Sequence, residues 1–217
     1  MTTPPPKLRI DIVSDVVCPW CIIGYRQLVA ALQATGTAHE IHWHPFELNP
    51  DMPPEGQNAR EHVAEKYGAT REQSEESRNQ MTRLGAGLGF AFRFADDTRM
   101  HNTFNLHQLL HWAESHGRTH PLKLALFSAH FTDNRNLSDD TVLADVAAEV
   151  GLDRVEALAV LADQRFAADV RSAEKHWLDQ GIRGVPAMIF NRRQLVTGAQ
   201  GVDNYTQVLG QLAGMPD

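Results

Sequence analysis

The order of hydrophobic patterns in this sequence predicts an α/β fold, with its strands at the two ends of the chain and a long helical stretch between them. Three observations carry that expectation. Strand-like apolar runs occur at Leu8–Val13, His39–Phe46, Gly184–Phe190 and Gln194–Thr197. Between Gln57 and Gly181 the apolar residues recur almost throughout at helical intervals. Both cysteines, Cys18 and Cys21, fall where the first strand pattern gives way to the first helix pattern.

Composition narrows the function before any motif is weighed. The chain has 217 residues, 42% of them hydrophobic, which is enough for a substantial core. Its formal net charge is −7 and no lysine or arginine cluster forms a phosphate-binding stripe, so nucleic acid is excluded as an expected partner. The N-terminal Met-Thr-Thr-Pro-Pro-Pro-Lys has no apolar leader core, and no run approaches the ~20 apolar residues that span a bilayer. No membrane association is expected, and the cytoplasm is the expected location. With two cysteines there is no framework of structural disulfides, so a disulfide here would be transient and catalytic.

The first strand is expected at Leu8–Val13 and the first helix from Pro19 through Ala34, where Ile22, Leu28, Val29 and Leu32 share a helical spacing and Gly36 supplies a stop. This places Cys18 at the N-cap and Pro19 at the first helical position, where a missing N–H costs nothing. Unpaired amides and the positive end of the helix dipole favour an anion there, so Cys18 is expected to have a thiol pKa lowered to about 3.5–7.5 and to act as the nucleophile. Three helical residues separate Cα atoms by about 5 Å, within the span a disulfide accepts, so Cys21 is expected to be the resolving thiol. A zinc site would need two further ligands such as His42 and His44, but His-x-His on a strand is not the usual finger spacing.

After the second strand, limited by Pro45, the Pro- and Asn-rich segment from Leu48 to Gly56 leaves the sheet. Helices are expected at Ala59–Tyr67, Thr70–Leu84, Asn102–His116, Leu122–Phe131, Asp139–Val150, Arg154–Ala162 and Phe166–Gln180. Thr70 with Gln73 forms a capping-box pattern, and Ser138 is read as an N-cap. Gly85, Gly87 and Gly89 read as a flexible joint; Phe90–Phe94 alternates for only five residues and reads as a packing segment, with a short extended segment beside the cleft as the alternative. His107/His111 and His116/His120 are four apart but lack a zincin glutamate, so they read as core or surface histidines. The hairpin Gly184–Phe190 and Gln194–Thr197 turns at Asn191-Arg192-Arg193, and a closing helix runs from Asp203 to Leu212. This element order is that of a thioredoxin fold interrupted by an all-helical inserted domain, with residues 1–56 and 182–217 forming the discontinuous thioredoxin-like domain and 57–181 the insertion.

Three segments in this order, Ser14-Asp15-Val16-Val17-Cys18-Pro19-Trp20-Cys21 with Ile23-Gly24, Pro45 through Gly56, and Gly181-Ile182-Arg183-Gly184-Val185-Pro186, resemble the FrnE-like branch of the DsbA family of thioredoxin-fold oxidoreductases. The likeness extends to Asn102-Thr103 and Gly198-Ala199-Gln200. It implies a thiol-disulfide oxidoreductase working through a mixed disulfide, with catalytic Cys18 and Cys21. It also implies substrate contacts from Pro19, Trp20, the Val185 backbone, a cis Pro186, and Asn102. No tightly bound cofactor is implied; glutathione is open as a co-substrate, protein or small-molecule thiols and disulfides are the expected partners, and a homodimer is open. Ile22 stands where many relatives carry an aromatic residue, and the extra cysteines of some FrnE-like proteins are absent. The 2-hydroxychromene-2-carboxylate isomerases and kappa-class glutathione transferases are similar in fold but typically carry serine at the first cysteine's position. A chaperone-like binding module is the remaining alternative.

Overall fold

The computed structural model describes residues 7–214; Met1–Pro6, on which the leader-free reading of the N-terminus rests, lie outside the described residues. The sheet begins with β1 (Leu8–Ser14), and α1 (Pro19–Thr35) follows across a four-residue turn. Gly36 closes that helix at φ 63°, and its amide together with that of Thr37 satisfies the carbonyls of Gln33 and Leu32. The strand β2 (His39–Pro45) returns parallel to β1, in the register Ile10 to Ile41 and Ile12 to Trp43.

The chain then runs through β3 (Gln57–Asn58), α2 (Ala59–Tyr67), α3 (Arg71–Gly87), β4 (Arg99–Met100), α4 (Phe104–Glu114), α5 (Thr119–Phe131), α6 (Asp140–Glu149), α7 (Arg154–Asp163) and α8 (Ala167–Asp179). The stretch is helical apart from the two-residue ladder in which β3 pairs antiparallel with β4, too short to leave an alternation in the sequence. The chain closes with β5 (Ala187–Phe190), β6 (Gln194–Thr197) and α9 (Val202–Ala213). Asn191 and Arg192, at φ 48° and 57°, make the tight turn between β5 and β6. The sheet order is β2-β1-β5-β6, with β5 antiparallel to both neighbours. α1 packs against α9, while α5 and α8 lie against β2. One apolar core runs without a break from Ile12 and Leu28 to Leu109, Phe127 and Val146.

Local details correct several sequence expectations. Asp139, not Ser138, caps α6 by accepting from the Thr141 amide at 2.8 Å. The helix expected from Asn102 starts at Phe104, because the Asn102 side chain accepts from the Phe104 amide at 2.9 Å and so stands outside it. Gly85 is not a joint: it lies inside α3, where an added Cβ would come within 2.5 Å of the Phe92 ring and 2.7 Å of the Phe90 carbonyl. Phe90–Phe94 packs, as its short alternation suggests: its three rings cluster with Phe131, and the Arg93 amide bonds the Phe131 carbonyl at 2.8 Å. The Thr70 capping box is formed as expected.

Candidate active site

The turn from β1 to α1 holds Cys18 at the N-cap, with Pro19 at the first helical position. The cap is made without the side chain, and that leaves the thiol free to turn outward from the helix. Next to β1 in the sheet is β5, with Val13 paired to Ala187, so the residues entering β5 arrive beside the same turn. The Val185–Pro186 peptide bond is cis. Gly24 of α1 is what admits Pro186: a Cβ there would sit 3.2 Å from the proline Cγ and 3.3 Å from the Met188 Cε. The Pro186 carbonyl accepts from Gly198 at 2.8 Å, and the Cys18 thiol donates to the Val185 carbonyl at 3.7 Å. Sequence positions 167 residues apart thus meet at one sulfur atom.

Cys18 is 4% exposed and Cys21 is fully buried; both are free thiols. Under them lies a group of buried polar side chains that the sequence reading did not single out. The Lys123 ammonium, on α5, donates to the Ser14 carbonyl at 3.1 Å and faces the rings of Trp43 and Phe127. The Asp15 carboxylate accepts from the Leu48 amide at 2.7 Å and the Thr103 hydroxyl at 3.3 Å, with His107 Nε2 at 3.5 Å.

These neighbours set the charges. Burial lowers Lys123 from 10.5 to about 8, against the pull of Asp15 and the cysteines. Burial opposes ionisation of Asp15, but His107, the Leu48 amide and Lys123 outweigh it and hold the carboxyl below its ordinary value. The two thiols act as a pair that takes one charge readily and a second only with difficulty. Burial opposes ionisation of Cys21, yet the Cys18 thiol beside it and the Lys123 charge lower its pKa. Cys18 is pushed up by its hydrogen bond with Cys21, by burial and by the Cys21 charge. The single charge thus belongs to the two sulfurs together, with the helix terminus at Cys18 and the Lys123 ammonium on the Cys21 side. The cation acts on the inner sulfur, while the outer thiol donates its proton to the Val185 carbonyl.

Above Cys18 opens a cleft of about 440 Å³. Cys18, Pro19, Trp20 and Val185 form one side; Tyr67 of α2, Arg78 and Met81 of α3, Phe94, and His130 and Phe131 of α5 form the other. Pro186 lines a separate cavity with Val185 and Leu195. Asn102, expected to contact substrate, does not line the cleft: both ends of its amide are engaged, with the Met52 carbonyl at 3.1 Å and the Phe104 amide at 2.9 Å. The histidines have other partners than a metal. His42 pairs with Glu40, His44 with Asp11, and His120 bridges Tyr25 and Trp43.

Strand order, a cis-proline against a helix-capping cysteine and a second cysteine one turn on define a thioredoxin-fold scaffold of the thiol-disulfide type. The profile of the DSBA-like thioredoxin domain matches residues 9–210, and the chain belongs to that family. A probable DsbA oxidoreductase from Streptomyces coelicolor is 34% identical, with a TM-score of 0.90 over 97% of this chain and 92% of that one. The uncharacterized protein YwbO of Bacillus subtilis is 26% identical over 93% of this chain and 96% of its own length. The cytosolic disulfide reductase DsbM from Pseudomonas aeruginosa, solved with glutathione, shares the fold at 18% identity and a TM-score of 0.65, covering 95% of this chain and all of that one. Among the described residues no helix is long and apolar enough to cross a membrane.

Proposed function

We propose that this chain is a thiol-disulfide oxidoreductase in which Cys18 exchanges with substrate and Cys21 resolves the mixed disulfide. The observation that carries the reading is the position of Cys18: a barely exposed sulfur at the floor of a cleft, bonded to the carbonyl of a cis-proline loop, above a fully buried second thiol. As substrate replaces the Val185 contact, the one charge of the pair settles on Cys18 and its proton on Cys21. The outer sulfur is then the thiolate that attacks. When Cys21 in turn displaces the substrate sulfur, the Lys123 ammonium stabilises the thiolate that does so.

In this reading Pro19, Trp20 and Val185 hold the substrate beside the sulfur, Pro186 shapes the loop, and Asn102 acts as a positioning residue that ties the start of α4 to the segment following β2. Residues 1–56 with 182–217 carry the redox scaffold, and 57–181 supply the far wall of the cleft. Glutathione serves as a co-substrate, protein or small-molecule thiols and disulfides are the partners, and the cytoplasm is the site of action. Direct support for glutathione comes only from the fold shared with DsbM, so the redox titration decides it.

The test is a titration of the full chain against reduced and oxidised glutathione with thiol mass-labelling. Wild type should lose two labels in a single two-electron step. Cys18→Ser should abolish disulfide exchange, and Cys21→Ser should accumulate the mixed disulfide. Full disulfide reductase activity in both variants would overturn the assignment, and holdase activity surviving the loss of both thiols would favour a binding module.

A further inference from the structure

The cleft above Cys18 contains one charge that no carboxylate among the described residues pairs with. Arg78 lines it from α3, half-buried, with its guanidinium 5.4 Å from the centre of the Phe94 ring. Its one hydrogen bond among the described residues is a long one, 3.4 Å, from Nη1 to the Ala95 carbonyl. No carboxylate among the described residues lies within 4.0 Å of it, and Asp96, which adjoins Ala95, is taken by Arg60 at 2.7 Å. Burial and the neighbouring Arg60 push the Arg78 pKa down against the pull of Asp96. A guanidinium carries five donors in a planar fork that fits a carboxylate edge-on, and leaving it unpaired beside Met81, Phe94 and Phe131 is costly.

Two other features restrict what can sit there. Cys18 is 4% exposed, so a reacting sulfur must enter the cleft to reach it, and about 440 Å³ falls in the range of small-molecule sites. The chain as a whole carries −7, so its overall field does not favour anions and a local cation must do the selecting.

We propose that the cleft takes a small organic disulfide with an apolar, aromatic-sized body and a carboxylate that docks on Arg78. The proposal rests on the redox reading above and names its substrate class. The Cys18 thiolate attacks one sulfur of R–S–S–R, forming Cys18–S–S–R and expelling RS⁻. Cys21 gives its proton to the expelled RS⁻, and its thiolate then attacks the Cys18 sulfur, closing the Cys18–Cys21 disulfide and expelling the second RS⁻. Two electrons pass from the protein dithiol to the substrate, and a reduced dithiol or thiol of the glutathione class restores the pair.

The experiment is single-turnover oxidation of the pre-reduced full chain by three reagents: 5,5′-dithiobis(2-nitrobenzoate), which is aromatic and anionic; 4,4′-dithiodipyridine, aromatic and uncharged; and oxidised glutathione, anionic and polar. Each rate is divided by that of a free model thiol with the same reagent. In wild type the normalised rate should be greatest for the aromatic dicarboxylate. In Arg78→Gln the ratio of the dicarboxylate rate to the dipyridine rate should fall about 10-fold, the order expected for a charge-assisted bond, and Arg78→Lys should recover part of it. Because it is a ratio, this readout is insensitive to how much of the variant is folded. A ratio unchanged within about 2-fold in Arg78→Gln, a greatest normalised rate for oxidised glutathione, or slowing of the dicarboxylate reaction by a cysteine-free unfolded polypeptide would each overturn the proposal. Failure of all three reagents to oxidise wild type would instead overturn the redox reading itself.

Discussion

Replacing Lys123 with Met tests whether a charge is truly buried beneath the sulfur pair. Lys123 is 1% exposed, and the Ser14 carbonyl and two aromatic rings are its near contacts. Burial lowers its pKa from 10.5 to about 8. Below about pH 8 the folded and unfolded chains both hold the proton, and the cost of burying the ammonium is present in full. Between about 8 and 10.5 only the unfolded chain holds it, so stability rises with pH through that window. At about 1.4 kcal/mol per pH unit, the rise amounts to about 3 kcal/mol. Met matches the length of lysine and does not titrate, so urea unfolding of the reduced proteins at the two ends of the window isolates the effect. Wild type should gain about 3 kcal/mol more than Lys123→Met; equal gains would refute the buried ammonium. The variant also removes the cation that lowers Cys21, and the pair should ionise about one pH unit higher. Alkylation at neutral pH should then be about 10-fold slower, and an undiminished rate would show that the ammonium does not stabilise the thiolate.

Two further outcomes follow from groups outside the sulfur pair. Glu47 is buried beside Glu174, both carboxylates bond Arg171, and burial with the Glu174 charge raises Glu47 to about 7. A carboxyl raised in the folded state loses stability as pH climbs from about 4.5 to 7, so across that range Glu47→Gln should gain on wild type by up to about 3 kcal/mol; a pH-independent difference in urea midpoints would rule this out. Gly85→Ala should destabilise by about 1–3 kcal/mol despite the better helix propensity of alanine, because its Cβ meets the Phe92 ring and the Phe90 backbone. An unchanged or raised melting temperature would show that the aromatic cluster can give way.

The parts of this molecule legible in the sequence are those encoded within a few residues. Pro19 after Cys18, Gly36 at the helix end, the Thr70–Gln73 box and the Asn191–Arg192 turn each announce themselves, and each forms. What was not legible depends on which element faces which. Lys123 sits in the run Leu122-Lys123-Leu124-Ala125-Leu126-Phe127, and the signal was available: a lone lysine within an apolar helix pattern. Nothing in that run says that Ser14 lies opposite. Gly85 looked like slack because spacing cannot show a phenyl ring against a helix, and Asn102 took its expected ligand contact from the resemblance, since its partner Met52, 50 residues away, is not visible in the sequence. The helix terminus at Cys18 was legible, whereas the cation on the inner side of the sulfur pair depends on α5 meeting β1 and was not.

The same helix that supplies the cation also builds the cleft. Lys123 and His130 are seven residues apart on α5, two turns, so they share a face and stand about 10 Å apart along its axis. One end lies under Ser14 and the sulfur pair, and the other lines the cleft with Phe131. On the opposite flank, Leu48 gives its amide to Asp15 and its carbonyl to Lys66 of α2, at 2.7 Å each, so the segment following β2 is fastened both to Asp15, three residues before Cys18, and to a wall-forming helix. A rigid shift of either helix therefore changes the shape offered to substrate together with the field at the sulfurs. The long helical stretch is thus coupled to the chemistry at both of its attachments, and substitutions in the cleft wall that move α5 should alter thiol ionisation as well as binding.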